Sequence, residues 1–171
     1  MRVFLLPAAA LLALLPGCTS ESAPPAQPSF YVSMADAGAA VDAGAAAAMI
    51  SGYRGNNGLG AVAVDADLMR MAMDHARIMA AKDKVDRAAG REFSGRLAAA
   101  GFDGKIAVEN VSAGYHTLAE AFSGWRDSPP HRANMLKGGA NRLGIAAVYA
   151  PQSKYKVFWA LIMAAKDETR G

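Results

Sequence analysis

The chain has 171 residues, 53% hydrophobic and 19% charged, which suits one globular domain with a sizeable core. Its formal charge is only +3, and no run of Lys and Arg interleaved with aromatics occurs, which argues against nucleic-acid binding. A single cysteine excludes an internal disulfide.

Arg2 precedes an apolar run from Val3 to Leu15. That run is too short for a mature membrane-spanning helix and suits a secretory signal, so residues 1–17 are expected to be a signal peptide. It ends in Leu15-Pro16-Gly17-Cys18, which resembles the bacterial lipobox, where the cysteine carries acyl chains such as palmitate and becomes the first residue. A cleaved signal with an incidental cysteine and an uncleaved anchor are the alternatives. Acylation of Cys18 would attach the mature protein to a membrane without a transmembrane helix. Thr19 follows where an Asp would imply inner-membrane retention, so the outer membrane is favoured in a cell with two. Residues 18–32 read as the lipidated cysteine and a Ser/Pro/Ala-rich tether, and 33–171 as the domain. The short "DAGAA" copies at Asp36 and Asp42 are low complexity rather than a repeat.

Within the domain, the alanine-rich stretch Ser33 to Tyr53 predicts a helix with Val41, Ala45, Ala48 and Met49 on one face, weakened by Gly38 and Gly44. "RGNNGLGAVAV" reads as a loop or short extended stretch. Asp65 or Asp67 then caps a strong helix whose inward stripe is Leu68, Met71, Ala72, His75, Ile78 and Met79. "GREFSGRLAAAGF" predicts a shorter helix closed by Gly101. Thr117 to Glu120 is a capping box opening a helix that turns Leu118, Ala121, Phe122 and Trp125 inward. Ser128 is placed to cap the next turn, with Pro129 at its first position. "RLGIAAVYA" and "YKVFWALIMAA", flanking "PQSK", read as a β-hairpin apolar on both faces. Such a hairpin needs cover on both sides, and the helices supply it: the expected fold is a three-layer α/β/α sandwich with a mostly antiparallel sheet.

"GYRGNNGL", "HARIMAA", "RLAAAGF", "VENVSAG" and "GWRDSPPHRANML…NRLGIA" follow in an order and at a spacing that resemble bacterial CAP domains, relatives of the cysteine-rich secretory, antigen 5 and pathogenesis-related proteins. The resemblance runs from about Met49 to Met163 and implies an α/β/α sandwich. It also implies a central cleft, which in complete members holds two His and two acids and in some binds a divalent metal. Position by position, Glu109 and His131 match one acid and one His, with Pro130 replacing the usual Gly. Arg87 stands where the other His belongs and Ser128 where the second acid belongs. Half of that constellation is missing.

Two ligands are too few for a zinc site, so no metal and no cofactor are expected. His75, on the apolar stripe of its helix, reads as a satisfied core histidine, and His116 as a solvated loop residue. No nucleophile sits at a recognisable strained turn; Ser112 and Ser128 read as loop and cap residues. Glu109 paired with His131, as a structural or ligand-orienting unit, is favoured over catalysis, with Arg87 reaching Glu109 in place of a cation. Three functions follow: a non-catalytic envelope domain binding a small apolar or envelope-derived ligand, a metal-assisted hydrolase using Glu109 and His131, or a scaffold for envelope proteins.

Overall fold

An apolar hairpin with two buried faces dictates the architecture. In the computed structural model, which describes residues 27–86 and 90–166, a short 3-10 turn (Ser29–Tyr31) leads into α1 (Ala43–Gly55), β1 (Ala63–Val64) and α2 (Ala66–Lys82). Then come α3 (Gly90–Ala99), β2 (Phe102–Ala113), α4 (Leu118–Asp127), α5 (Pro129–Met135), β3 (Arg142–Tyr149) and β4 (Val157–Lys166). The sheet order is β1-β3-β4-β2. β4 is antiparallel to both neighbours, and only the two-residue β1 runs parallel to β3. The expected α/β/α sandwich with a mostly antiparallel sheet is therefore the fold.

The period-two alternation divides the core. Leu143, Ile145, Val157, Trp159, Leu161 and Met163 face α1, α4 and α5, where they meet Ile50, Leu118, Trp125 and Met135. Ala146, Phe158, Ala160, Ile162 and Ala164 face α2 and α3, against Leu68, Met71, Ala72, Met79 and Leu97. Burying each large apolar side chain contributes roughly 1.5–3 kcal/mol. Trp125 and Trp159 also meet edge to face, with centroids 6.3 Å apart at 85°. Phe122, expected in the core, is half-buried and meets Tyr53 edge-on.

On the α2 side the sheet offers small residues, and the helix comes close. A Cβ built on Gly144 would lie 2.1 Å from the main-chain carbonyl carbon of Leu68. Asp65 caps α2 by accepting from the N–H groups of Asp67 and Leu68. Thr117 and Glu120 form the expected capping box on α4.

Several local expectations differ from the structure. The first helix starts at Ala43, because Gly38 takes φ +82° and Asp42 accepts from the Ala45 N–H to begin the helix there. Its buried residues are Ala46, Ile50 and Arg54 rather than the face centred on Ala45 and Met49. Ile78, assigned to the inward stripe of α2, is 46% exposed, while Ala76 is buried. Ser128 occupies the N-cap of α5 without a side-chain capping bond. Pro130, at the second helical position, lacks one of the two N–H groups that a cap would engage in that first turn. β2, a twelve-residue strand, was not expected; it pairs with β4 and shifts register between Asp103 and Val108.

Candidate functional site

The edge strand β2 carries the site on both of its faces. Ala107, Val111 and Ala113 point toward α2 and α3, whereas Ile106 and Val108 point toward the opposite layer. Glu109 shares the first direction and meets His75, the residue that the helical stripe turns inward from α2. His75 Nδ1 lies 2.5 Å from Glu109 Oε1, and the two side chains are only 6% and 7% exposed. Burying a carboxylate is costly unless it is neutralised or hydrogen-bonded, and the imidazole supplies the bond. A carboxylate oxygen accepts, so His75 Nδ1–H is the donor in this bond. The sequence reading of His75 as a buried, satisfied histidine and the resemblance-based choice of Glu109 thus meet in one pair.

The other face of β2 holds α5. Asn110, 1% exposed, donates through Nδ2 to the main-chain oxygen of His131 at 2.9 Å. Asn134 Nδ2 donates to Asn110 Oδ1 at 2.9 Å and to the main-chain oxygen of Glu109 at 2.8 Å. The backbone of Glu109 and the backbone of His131 are therefore fastened to each other through two amides. His131, half-buried, is the third residue of α5, behind the two prolines. It approaches from the α4/α5 layer, while the Glu109 side chain turns toward α2.

Arg54 fixes the far end of α5. Its guanidinium is 1% exposed and donates to four carbonyls: Gly60 (2.8 Å), Met135 (2.9 Å), Lys137 (2.9 Å) and Ala140 (3.0 Å). Burial lowers its pKa, yet an arginine stays protonated at any pH the fold survives. Its positive charge is spread over three loop carbonyls and that of Met135, which ends α5, the favourable end of a helix for a cation. Asn110, Asn134 and Arg54 were missed as site residues from sequence. Each lies inside a quoted motif, "VENVSAG", "HRANML" and "GYRGNNGL", but their partners are far along the chain.

The remaining sequence candidates are placed as follows. Arg87 and Cys18, with the signal peptide and most of the tether, lie outside the described residues. Ser112 accepts from Trp125 Nε1 at 3.2 Å, so its hydroxyl serves the core. His116 is exposed, and its main-chain N–H donates to Glu120. Among the described residues no three His, Cys, Asp or Glu side chains come together as a metal-binding group. His75 and Glu109 are directed at each other, so this donor set does not fit a divalent cation needing three or four ligands. As it stands, the arrangement can orient an imidazole and hold α5 against β2.

A family model described as "Cysteine-rich secretory protein family" (CAP) matches residues 47–163. Comparison with curated proteins finds no match. Among solved structures, an outer surface protein of Borrelia burgdorferi superposes with a TM-score of 0.62 at 15% identity, covering 74% of this chain and 93% of that one. An extracellular protein of Bacillus anthracis containing an SCP domain gives 0.58 at 23% identity, covering 72% of this chain and 40% of that one. A cysteine-rich secretory protein of Staphylococcus aureus gives 0.55 at 16% identity, over 71% and 37%. The chain thus spans well under half the length of the last two.

Proposed function

The chain belongs to the cysteine-rich secretory protein (CAP) family, and on that premise we propose that it is an exported lipoprotein whose CAP domain is a non-catalytic binding module. In this reading Cys18 carries the acyl chains and the tether holds the domain off the membrane, the outer one where there are two. The cleft beside Glu109 and His131 takes a small apolar or envelope-derived ligand.

The observation that carries the binding reading is the buried His75–Glu109 pair. Its carboxylate is already hydrogen-bonded, and the Asn110–Asn134 bridge holds α5 in place beside it. A preorganised, internally satisfied wall suits binding, because ordering costs nothing further when the ligand arrives. Catalysis would need a carboxylate or imidazole free to exchange protons with a substrate. Export is supported by the apolar run before Cys18 and by the outer-surface and extracellular character of two proteins that share the fold.

Two measurements test the proposal. In detergent phase separation the full chain is expected in the detergent phase and Cys18→Ala in the aqueous phase; equal release of both removes the lipoprotein half. Zinc titration by calorimetry is expected to give no saturable binding in the micromolar range. Micromolar binding lost in both Glu109→Ala and His131→Ala would instead favour the metal-assisted hydrolase.

A further inference from the structure

The helical face of Ala45, Ala48 and Met49, which the sequence turns toward the core, stays at the surface. α1 buries Ala46, Ile50 and Arg54 instead, and from Ala43 to Ile50 it has no polar side chain. A helix segment with no polar face is normally covered on every side. Here the outer face forms one wall of an open groove of about 590 Å³, and Pro28, Ser29 and Phe30 form the other. The Phe30 ring meets that of Tyr31 with centroids 4.6 Å apart, and Tyr31 and Val32 extend the patch at 52% and 43% exposure. Exposed apolar side chains are ordinary singly, but a contiguous patch marks an interaction surface. No charged side chain lines the groove, and from Gln27 to Tyr53 the chain has no Lys, Arg or His. Asp42, beside it, accepts from the Ser29 hydroxyl at 2.7 Å and the Ala45 N–H at 2.9 Å.

We propose that this groove and its aromatic edge are the face on which the domain rests against the bilayer that holds its anchor, contacting lipid acyl chains. The inference rests on the lipoprotein reading above. Eight residues, Thr19 to Ala26, separate Cys18 from Gln27, a span of about 30 Å at full extension. The tether therefore joins the domain at the groove itself, where Pro28 is a lining residue. Within that reach the bilayer has an effective concentration in the millimolar range, so a contact too weak to recruit a free domain holds a tethered one. Aromatic rings such as those of Phe30 and Tyr31 suit the membrane–water boundary. With no cation on this face, headgroup charge supplies no attraction, and the contact should survive salt. The tether sets the greatest distance from the membrane, and this face sets the orientation. α2, on the opposite side of the sheet, then points to solvent.

The test couples the chain from Cys18 onward, through that lone cysteine, to a maleimide phospholipid in phosphatidylcholine vesicles. Attachment then does not depend on acylation in the cell, so a failed lipoprotein reading, seen in detergent partition, and a failed docking face give different results. Tyr31→Trp is the reporter, and bromine on the acyl chains of the bulk lipid is the quencher; Trp125 and Trp159 are buried and give a constant background. The added emission is expected to be quenched and to stay quenched in about 0.5 M salt. Ile78→Trp, on α2 at a 46% exposed position, should escape quenching. Added to the reporter, Ala48→Glu, at an exposed helical position, should lower the ratio of docked to undocked domain by at least about tenfold. Val32→Asp should do the same from a different element, which covers poor folding of either variant. Absence of quenching at Tyr31→Trp, equal quenching at Ile78→Trp, loss in salt, or quenching unchanged by Ala48→Glu and Val32→Asp would each overturn the proposal. A blue shift without quenching would mean that the coupled lipid's own chain or a second copy fills the groove, and overturns it too.

Discussion

Gly144→Ala sets two physical arguments against each other. Gly144 lies inside β3 with no positive φ, so backbone entropy alone predicts that alanine stabilises the protein by about 0.5–1 kcal/mol. Packing predicts the reverse. The added Cβ would sit 2.1 Å from the carbonyl carbon of Leu68, 2.2 Å from its oxygen and 2.3 Å from Met69 N. These are main-chain atoms of α2 and cannot rotate aside. Ordinary contact begins at 3.4 Å, so the helix must lift by about 1.3 Å. Leu68, Met71, Ala72, Ala76 and Met79 all pack from that helix onto the sheet. A gap of that size forfeits a large part of their dispersion attraction. The net cost is about 3 kcal/mol, the upper end for overpacking, and a fall in melting temperature of roughly 6–12 °C. The same lift would draw His75 away from Glu109. Urea denaturation followed by circular dichroism checks the first effect, and the NMR signal of the His75 Nδ1 proton checks the second. Gly52→Ala in α1, where a Cβ meets nothing within 4 Å, is the control and should stabilise. A Gly144→Ala protein as stable as the wild type would refute the close helix–sheet approach.

Two further predictions concern the core and the cap. Trp125→Ala removes a 1%-exposed ring packed on Trp159 and bonded to Ser112, and should cost about 3–5 kcal/mol in urea denaturation; an unchanged midpoint would be inconsistent with that packing. Burial alone would raise the pKa of Asp65, but the Lys166 ammonium and the N–H groups of Leu68 and Asp67 outweigh it and hold the carboxyl below its ordinary value. A lowered folded-state pKa contributes stability that is fully present above the unfolded value of about 3.9 and is lost as pH falls through the folded one. Asp65→Asn should therefore be less stable than wild type by about 1 kcal/mol at pH 7, given the partly exposed Lys166. The gap should close below about pH 4; denaturation midpoints differing equally at pH 7 and pH 2 would contradict the role of the charge.

What the sequence made legible follows from the range of the signals. The hairpin was readable because its alternation is unbroken and its partner strands are neighbours in the chain. The capping box on α4 and the Asp65 cap were readable because they act over three residues. β2 was not, since "FDGKIAVENVSA" mixes charges, glycine and a register shift, and its pairing partner lies beyond α4, α5 and β3. For the site, helical spacing was enough to turn His75 inward, but its bond spans 34 positions to Glu109. Arg54 is the plainest limit. An arginine in an alanine-rich helix reads as solvated, and only the four carbonyls converging from three loop positions and a helix end explain its burial.

The sheet's two rims bear on how copies behave when crowded. A rim strand with a long straight row of unused main-chain groups is a template for a neighbour's strand and hence for aggregation. On one side β1 is only two residues long and gives way at once to α2. On the other, the twelve residues of β2 are bent by the shift between Asp103 and Val108 and carry the exposed, charged Asp103 and Lys105. Farther along, the side chain of Asn134 already occupies the Glu109 carbonyl. The β2 rim thus offers an incoming strand no straight uncharged run, so copies that meet along that edge can touch without zipping together.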